Sequence, residues 1–159
     1  MRNIEATLIL LAGCLAVPAV AQSIDPCDKS DFSNAERRNC YFTEEKKVKV
    51  EVDRLATEIA AKFRKDARSF QKQYPVSVAP GLMRQAASAA LQAQKSWRSY
   101  RDQHCRTIEL AWTTGSGAGT AMEKCLFDLG RRRVRELQCL QSDSSTNCAI
   151  PGATRRWRH

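Results

Sequence analysis

Apolar residues from the middle of the first half of the chain recur at Val48, Val52, Leu55, Ile59, Phe63, Ala67, Phe70 and Tyr74. Steps of three and four place them on one face of a long helix. Between them lie Lys49, Glu51, Asp53, Arg54, Glu58, Lys62, Arg64, Lys65 and Arg68, which form a solvated face. Pro75 ends the run, because proline disfavours helical geometry in the residue before it. Upstream, Ser33-Asn34-Ala35-Glu36 matches a capping box, in which the serine oxygen accepts an amide proton and the glutamate reaches back. The spacing predicts a helix from Asn34 past Cys40, either interrupted near Thr43 or continuous with the longer run.

A second long helix is predicted from near Leu82 to about Thr113. Its expected inward positions are Ala86, Ala89 or Ala90, Ala93, Trp97, Tyr100, His104, Ile108 and Ala111. The small residues would allow a neighbour to approach closely, and the aromatic ones fill space further along. A third helix is expected from about Thr120 through Met122, Cys125, Leu126, Leu129, Val134, Leu137 and Leu140. Gly130 in its middle costs about 1 kcal/mol relative to alanine. No stretch alternates with period two for long enough to make a strand; VKVEV at 48–52 sits inside the helical repeat. The expected fold is all-α: an antiparallel bundle of three long helices with a short N-terminal helix or helix extension.

The start of the chain sets the compartment. Arg2 precedes an apolar run from Ala6 to Val17, Pro18 breaks it, and Ala19-Val20-Ala21 fits a small-x-small cleavage pattern before Gln22. Residues 1–21 therefore read as a secretory signal peptide, and the mature chain as periplasmic or secreted. The run is shorter than the roughly 20 apolar residues that cross a bilayer. A competing reading takes Leu11-Ala12-Gly13-Cys14 as a lipobox, which would anchor a lipoprotein through Cys14. The expected division is a helical domain at 22–141 followed by a mobile basic tail at 142–159, rich in turn formers.

Cleavage after Ala21 leaves Cys27, Cys40, Cys105, Cys125, Cys139 and Cys148. An even number in an exported chain reads as a disulfide framework, and six cysteines allow 15 pairings. Cys105 and Cys125 flank GSGAG, with His104 beside the first. Nucleotide-binding loops follow a strand, with fixed glycine offsets or a Gly-Lys-Ser/Thr ending; here a helix precedes the loop and no lysine closes it. Metal ligation is disfavoured because adjacent His104 and Cys105 would point about 100° apart on a helix. If the second and third helices form a hairpin, Cys105 lies about 12 Å below the turn and Cys125 about 8 Å. They are then at comparable height, within reach of a bridge, which would stabilise by about 3 kcal/mol. The glycines serve as a helix stop and tight reversal. Proximity suggests Cys27–Cys40 and Cys139–Cys148 as further pairs.

The formal net charge is +9, which favours anionic partners such as phosphate-bearing envelope polymers or membrane surfaces. Arg131, Arg132, Arg133 and Arg135 are the candidate anion-binding set, with Arg155, Arg156, Trp157 and Arg158 in the tail; the alternative is a solubilising surface. Export makes nucleic acid a poor candidate. No Ser/His/Asp set, paired-carboxylate motif or metal signature stands out, and only His104 and His159 are available for acid–base chemistry. The chain reads as a non-enzymatic binding protein without a cofactor.

Trp97, Tyr100, Arg101, Asp102 and Cys105 form a W-x-x-Y-R-D-x-x-C pattern, followed by Cys125-Leu126 and by Arg133-x-x-Glu136-Leu137. With the Cys-containing N-terminal loop and the capped first helix, they resemble the LprI-type lysozyme-inhibitor domain over about Cys27 to Leu140. The resemblance implies an exported, helical, disulfide-bonded protein with Cys27–Cys40 and Cys105–Cys125 as pairs. Cys139 and Cys148 look like additions. It also implies lysozyme as a protein partner. Host-type lysozymes are basic and a net charge of +9 would repel them at long range, so docking would need a local acidic patch. Glu44, Glu45, Glu51 and Glu58 along the first long helix are the candidates.

Overall fold

The structure is a computed structural model that describes residues 25–112 and 115–142. The expected signal peptide at 1–21, Cys14, Cys148 and the expected tail beyond Ser142 lie outside the described residues. Three helices make up the fold: α1 (Asn34–Gln73), α2 (Ala79–Ala111) and α3 (Ala118–Gln141). No strand occurs among the described residues. Every helix packs on the other two, in the up-down-up order that short connections impose.

Helix α1 runs through Thr43 without interruption, and its 40 residues span about 60 Å. The N-terminal helix is thus an extension of the long one. Its start is the capping box: the Glu36 amide donates to Ser33 Oγ at 3.3 Å, and the Ser33 amide donates to Glu36 Oε2 at 2.8 Å. Its end is Tyr74, whose amide closes on the Phe70 carbonyl just before Pro75. Helix α2 begins three residues earlier than Leu82. Pro80 occupies its first turn, where a missing N–H leaves no bond unmade.

The main core joins Val52, Leu55, Ala56 and Ile59 of α1 to Leu137 of α3, with Val48, Phe63, Ala90, Trp97 and Val134 packed around them. A second cluster of Cys27, Tyr41 and Phe127 closes the end of the bundle where the chain enters. Gly130 lies where α3 presses on α1. A Cβ there would stand 2.6 Å from Val48 Cγ1, so the glycine permits the approach.

The buried face of α2 differs from the expected one. Ala87, Gln94, Arg101 and Cys105 are buried, with Ala86, Ala90, Trp97 and Ile108 half-buried beside them. Ala89, Ala93, Tyr100, His104 and Ala111 are exposed. The stripe is rotated because Gln94 and Arg101 point inward, and apolar periodicity counts such residues as outward.

Two bridges hold the entry end. Cys27–Cys40 and Cys105–Cys125 each have a Cα separation of 5.6 Å, and the second joins the α2–α3 hairpin at the height its spacing indicates. Cys139 is also disulfide-bonded; its suggested pairing with Cys148 lies outside the described residues. At the opposite end α3 stops beside α1: Gln141 Nε2 donates to Glu58 Oε2 at 3.0 Å, and Lys62 Nζ donates to the Gln141 carbonyl at 3.5 Å. Helix α1 continues to Gln73, roughly 17 Å further at 1.5 Å per residue. Only the first turns of α2 accompany it, with Ala67 and Ala87 buried between the two. The result is a two-helix arm projecting beyond a stapled three-helix body.

Candidate functional site

The motif residues of α2 build a polar seam through the body. Gln94, Trp97, Arg101 and Cys105 follow one another at helical steps, so they share a face. Arg101 is buried at 6% exposure. Its Nη1 donates to Glu45 Oε1 of α1 at 3.0 Å, and its Nε to Asp102 Oδ1 at 2.9 Å. From α3, Arg133 donates to Gln94 Oε1 at 3.1 Å and to Glu136 Oε2 at 3.0 Å. Both guanidinium groups lie over the Trp97 ring, at 5.4 Å for Arg101 and 5.7 Å for Arg133. Trp97 itself packs on the main core. The seam links all three helices through these cation–π contacts and hydrogen bonds, and Leu126 and Leu137 are buried alongside. Chemically it fixes the register of the bundle and offers no nucleophile or exposed acid–base pair.

Glu123 of α3 is the unbalanced member. Burial pushes its carboxyl above the ordinary range, and nearby Glu45 and Glu109 add to the rise while Arg38 opposes it. Apolar patterning gives no warning of such a residue. The one available signal is its place two residues before Cys125, a cysteine already expected to be internal.

At the entry end, Asp25 gathers three donors: the Cys27 amide at 3.0 Å, the Tyr41 hydroxyl at 2.9 Å and Lys124 Nζ at 3.0 Å. Burial would raise the Asp25 carboxyl, but these bonds together hold it below its usual value. Burial, together with donation to Asp25, pushes the Tyr41 hydroxyl up to about 12. The knot anchors the Cys27–Cys40 loop to α3.

The four candidate arginines of α3 separate. Arg131, Arg132 and Arg135 line a cleft of about 350 Å³ together with Asp25 and Asp128. Arg131 and Arg135 also face a neighbouring cleft of about 390 Å³ with Lys47, Val48, Glu51 and Val134. Arg133 points the other way, into the seam. Consecutive helical positions point about 100° apart, so the four arginines cannot all serve one face.

Two motif members face outward. Tyr100 is 55% exposed and stacks on His104 with ring centroids 5.5 Å apart; the Asp102 side chain is 60% exposed. Cys105 is bridged, so His104 and Cys105 do not form a metal or thiol site. Among the described residues no group of His, Cys, Asp and Glu is placed to hold a metal.

The acidic patch expected on α1 is internally neutralised. Glu44 pairs with Lys47, Glu51 and Glu58 with Arg54, and Glu45 with the buried Arg101. Exposed acids gather instead at the stapled end, at Asp28, Asp31, Glu36 and Asp102. The arm end differs: residues 67–101 contain no Asp or Glu, and Arg68, Lys72 and Arg84 lie in the arm, while Arg98 and Arg101 pair with Asp53, Glu45 and Asp102 in the body. The tip of the arm is thus uniformly basic, whereas the stapled end mixes its acids with exposed Lys29, Arg38, Lys46 and Arg106.

Among protein families, the model described as "Lysozyme inhibitor LprI" matches residues 27–137. No curated protein and no solved structure matches the chain.

Proposed function

We propose, from the premise that the chain belongs to the lysozyme inhibitor LprI family, that it is an exported, non-enzymatic binding protein that inhibits lysozyme. The observation that carries this reading is the extent of the match. It begins at the first bridged cysteine and ends at the last buried core leucine, so it includes both described bridges, the buried seam and all of the three-helix body but the last turn of α3. Among the described residues no helix is long and apolar enough to cross a membrane.

The charge distribution supports a docking face. A basic enzyme is repelled by the net charge, and the acids open to it are Asp28, Asp31 and Asp102, exposed at the stapled end among Lys29, Arg38 and Arg106, where screening is weak within about 10 Å at 0.1 M salt. The test is lysis of a bacterial suspension by lysozyme, followed by turbidity. The protein should slow clearing at comparable molar concentration, and Asp28→Lys with Asp31→Lys should weaken the effect severalfold while leaving the helical circular dichroism unchanged. No inhibition at large excess of the protein overturns the reading.

A second reading rests on Arg131, Arg132 and Arg135 converging on one cleft, which suits an anionic envelope polymer. Retention on an immobilised polyphosphate-bearing polymer should fall steeply with salt and be lost in Arg132→Gln with Arg135→Gln. Salt-insensitive retention overturns it.

A further inference from the structure

We propose that the free end of the α1–α2 arm is a membrane-docking tip, whose apolar turn enters the interface of an anionic phospholipid bilayer. This does not depend on lysozyme inhibition, and it concerns the end of the molecule opposite the stapled one.

The first observation is exposure. Val76 is 99% exposed, Val78 80%, Leu82 61% and Tyr74 47%. They fall within one turn and the start of α2, at the projecting end of the arm, and make up its apolar cap. Scattered apolar residues on a surface need no explanation, but a contiguous set at a projecting end marks a contact. None of the four contributes to either core cluster.

The second is charge. Arg68, Lys72 and Arg84 lie within two to three turns of the cap, are exposed, and make no ion pair among the described residues. No acid lies between Asp66 and Asp102 in the sequence. An apolar end ringed by unpaired cations matches a bilayer surface, where the apolar part enters the acyl boundary and long basic side chains reach back to the phosphates. Each cation near an anionic leaflet strengthens association about fivefold.

The third is the backbone. Polar main-chain groups resist leaving water unless they are already bonded. In the turn, the Ser77 amide donates to the Tyr74 carbonyl at 3.1 Å, and the Gly81 amide to the Val78 carbonyl at 3.0 Å. The Ala79 amide donates to Ser77 Oγ at 3.2 Å, and Gln71 Nε2 covers the Pro75 carbonyl at 2.8 Å. Pro75 and Pro80 have no amide proton to dehydrate. The projection of the arm beyond α3 lets this turn meet a plane before the body does.

The test uses the purified chain and vesicles of phosphatidylcholine, with or without about one third phosphatidylglycerol, the anionic fraction supplying the surface charge. In Val76→Trp, the added fluorescence, taken as the difference from the parent, should shift to the blue and be quenched by brominated acyl chains, with anionic vesicles only. In sedimentation, Val76→Asp with Val78→Asp should lower vesicle binding at least tenfold. Arg68→Gln with Lys72→Gln and Arg84→Gln should lower it about a hundredfold, from three cations at about fivefold each. Both sets lie on exposed positions, so circular dichroism and lysozyme inhibition should match the parent. An unshifted difference signal from Val76→Trp with anionic vesicles overturns the proposal. So does parental vesicle binding by the aspartate variant, which would mean that another surface, such as the α3 arginine cleft, meets the lipid.

Discussion

At the residue scale, Glu123 and Asp25 couple stability to pH with opposite signs. The unfolded chain ionises Glu123 near its ordinary 4.5, whereas the folded chain holds the proton to higher pH. The folded state therefore binds more protons in that interval, and stability falls as pH rises through it. Glu123→Gln should need more urea to unfold than the parent at pH 7, and should lose that advantage below pH 4.5. Asp25 behaves in reverse: its contribution is present above the ordinary 3.8 and is lost as pH falls through the lower folded value. Arg101 carries a larger stake. Arg101→Met leaves Glu45 buried without its partner and should cost about 3–5 kcal/mol in urea unfolding. Adding Glu45→Leu should recover most of it, because a buried pair is often replaceable by apolar groups. These residues are the least legible in the sequence. Arg101 and Glu45 are 56 positions apart, and nothing in local spacing says that two charged groups will meet inside.

At the element scale, α1 is legible in detail because three independent local signals agree: a capping serine with its glutamate, an unbroken apolar stripe, and a proline stop. For α2 the existence and approximate ends are legible but the face is not. Aromatic Tyr100 and His104 read as inward, while the inward Gln94 and Arg101 add nothing to an apolar stripe. Pairing across helices decides the matter, and a single-helix pattern contains no term for it. For α3, Gly130 reads as a weak point of the helix, yet its role is set by a neighbour. Gly130→Ala gains about 1 kcal/mol of helix propensity, but its Cβ meets Val48, whose branched side chain is stiff. The substitution should lower stability by about 1–3 kcal/mol, measured by urea midpoint. In a Val48→Ala background the same substitution should be neutral or stabilising. If Gly130→Ala alone stabilises the protein, α3 does not lie as close to α1 as described.

At the scale of the whole molecule, the two described bridges and the second cluster are concentrated in one half. Replacing both Cys105 and Cys125 by alanine should lower stability by about 3 kcal/mol in the chain-entropy account, and a loss under about 1 kcal/mol would mean that the hairpin is already ordered when unfolded. The net charge is legible from composition and implies uniform repulsion towards basic partners. The acid-free run at 67–101 is equally visible in the sequence. What composition does not contain is that folding sends Arg68, Lys72 and Arg84 of that run to the free tip and Asp28, Asp31 and Glu36 to the other end. The tip thus holds cations with no acid among them, separated along a rod of about 60 Å from an end where acids and bases are mixed. Near an anionic sheet that tip is pulled more strongly than the mixed end, which turns the rod towards the sheet as it approaches.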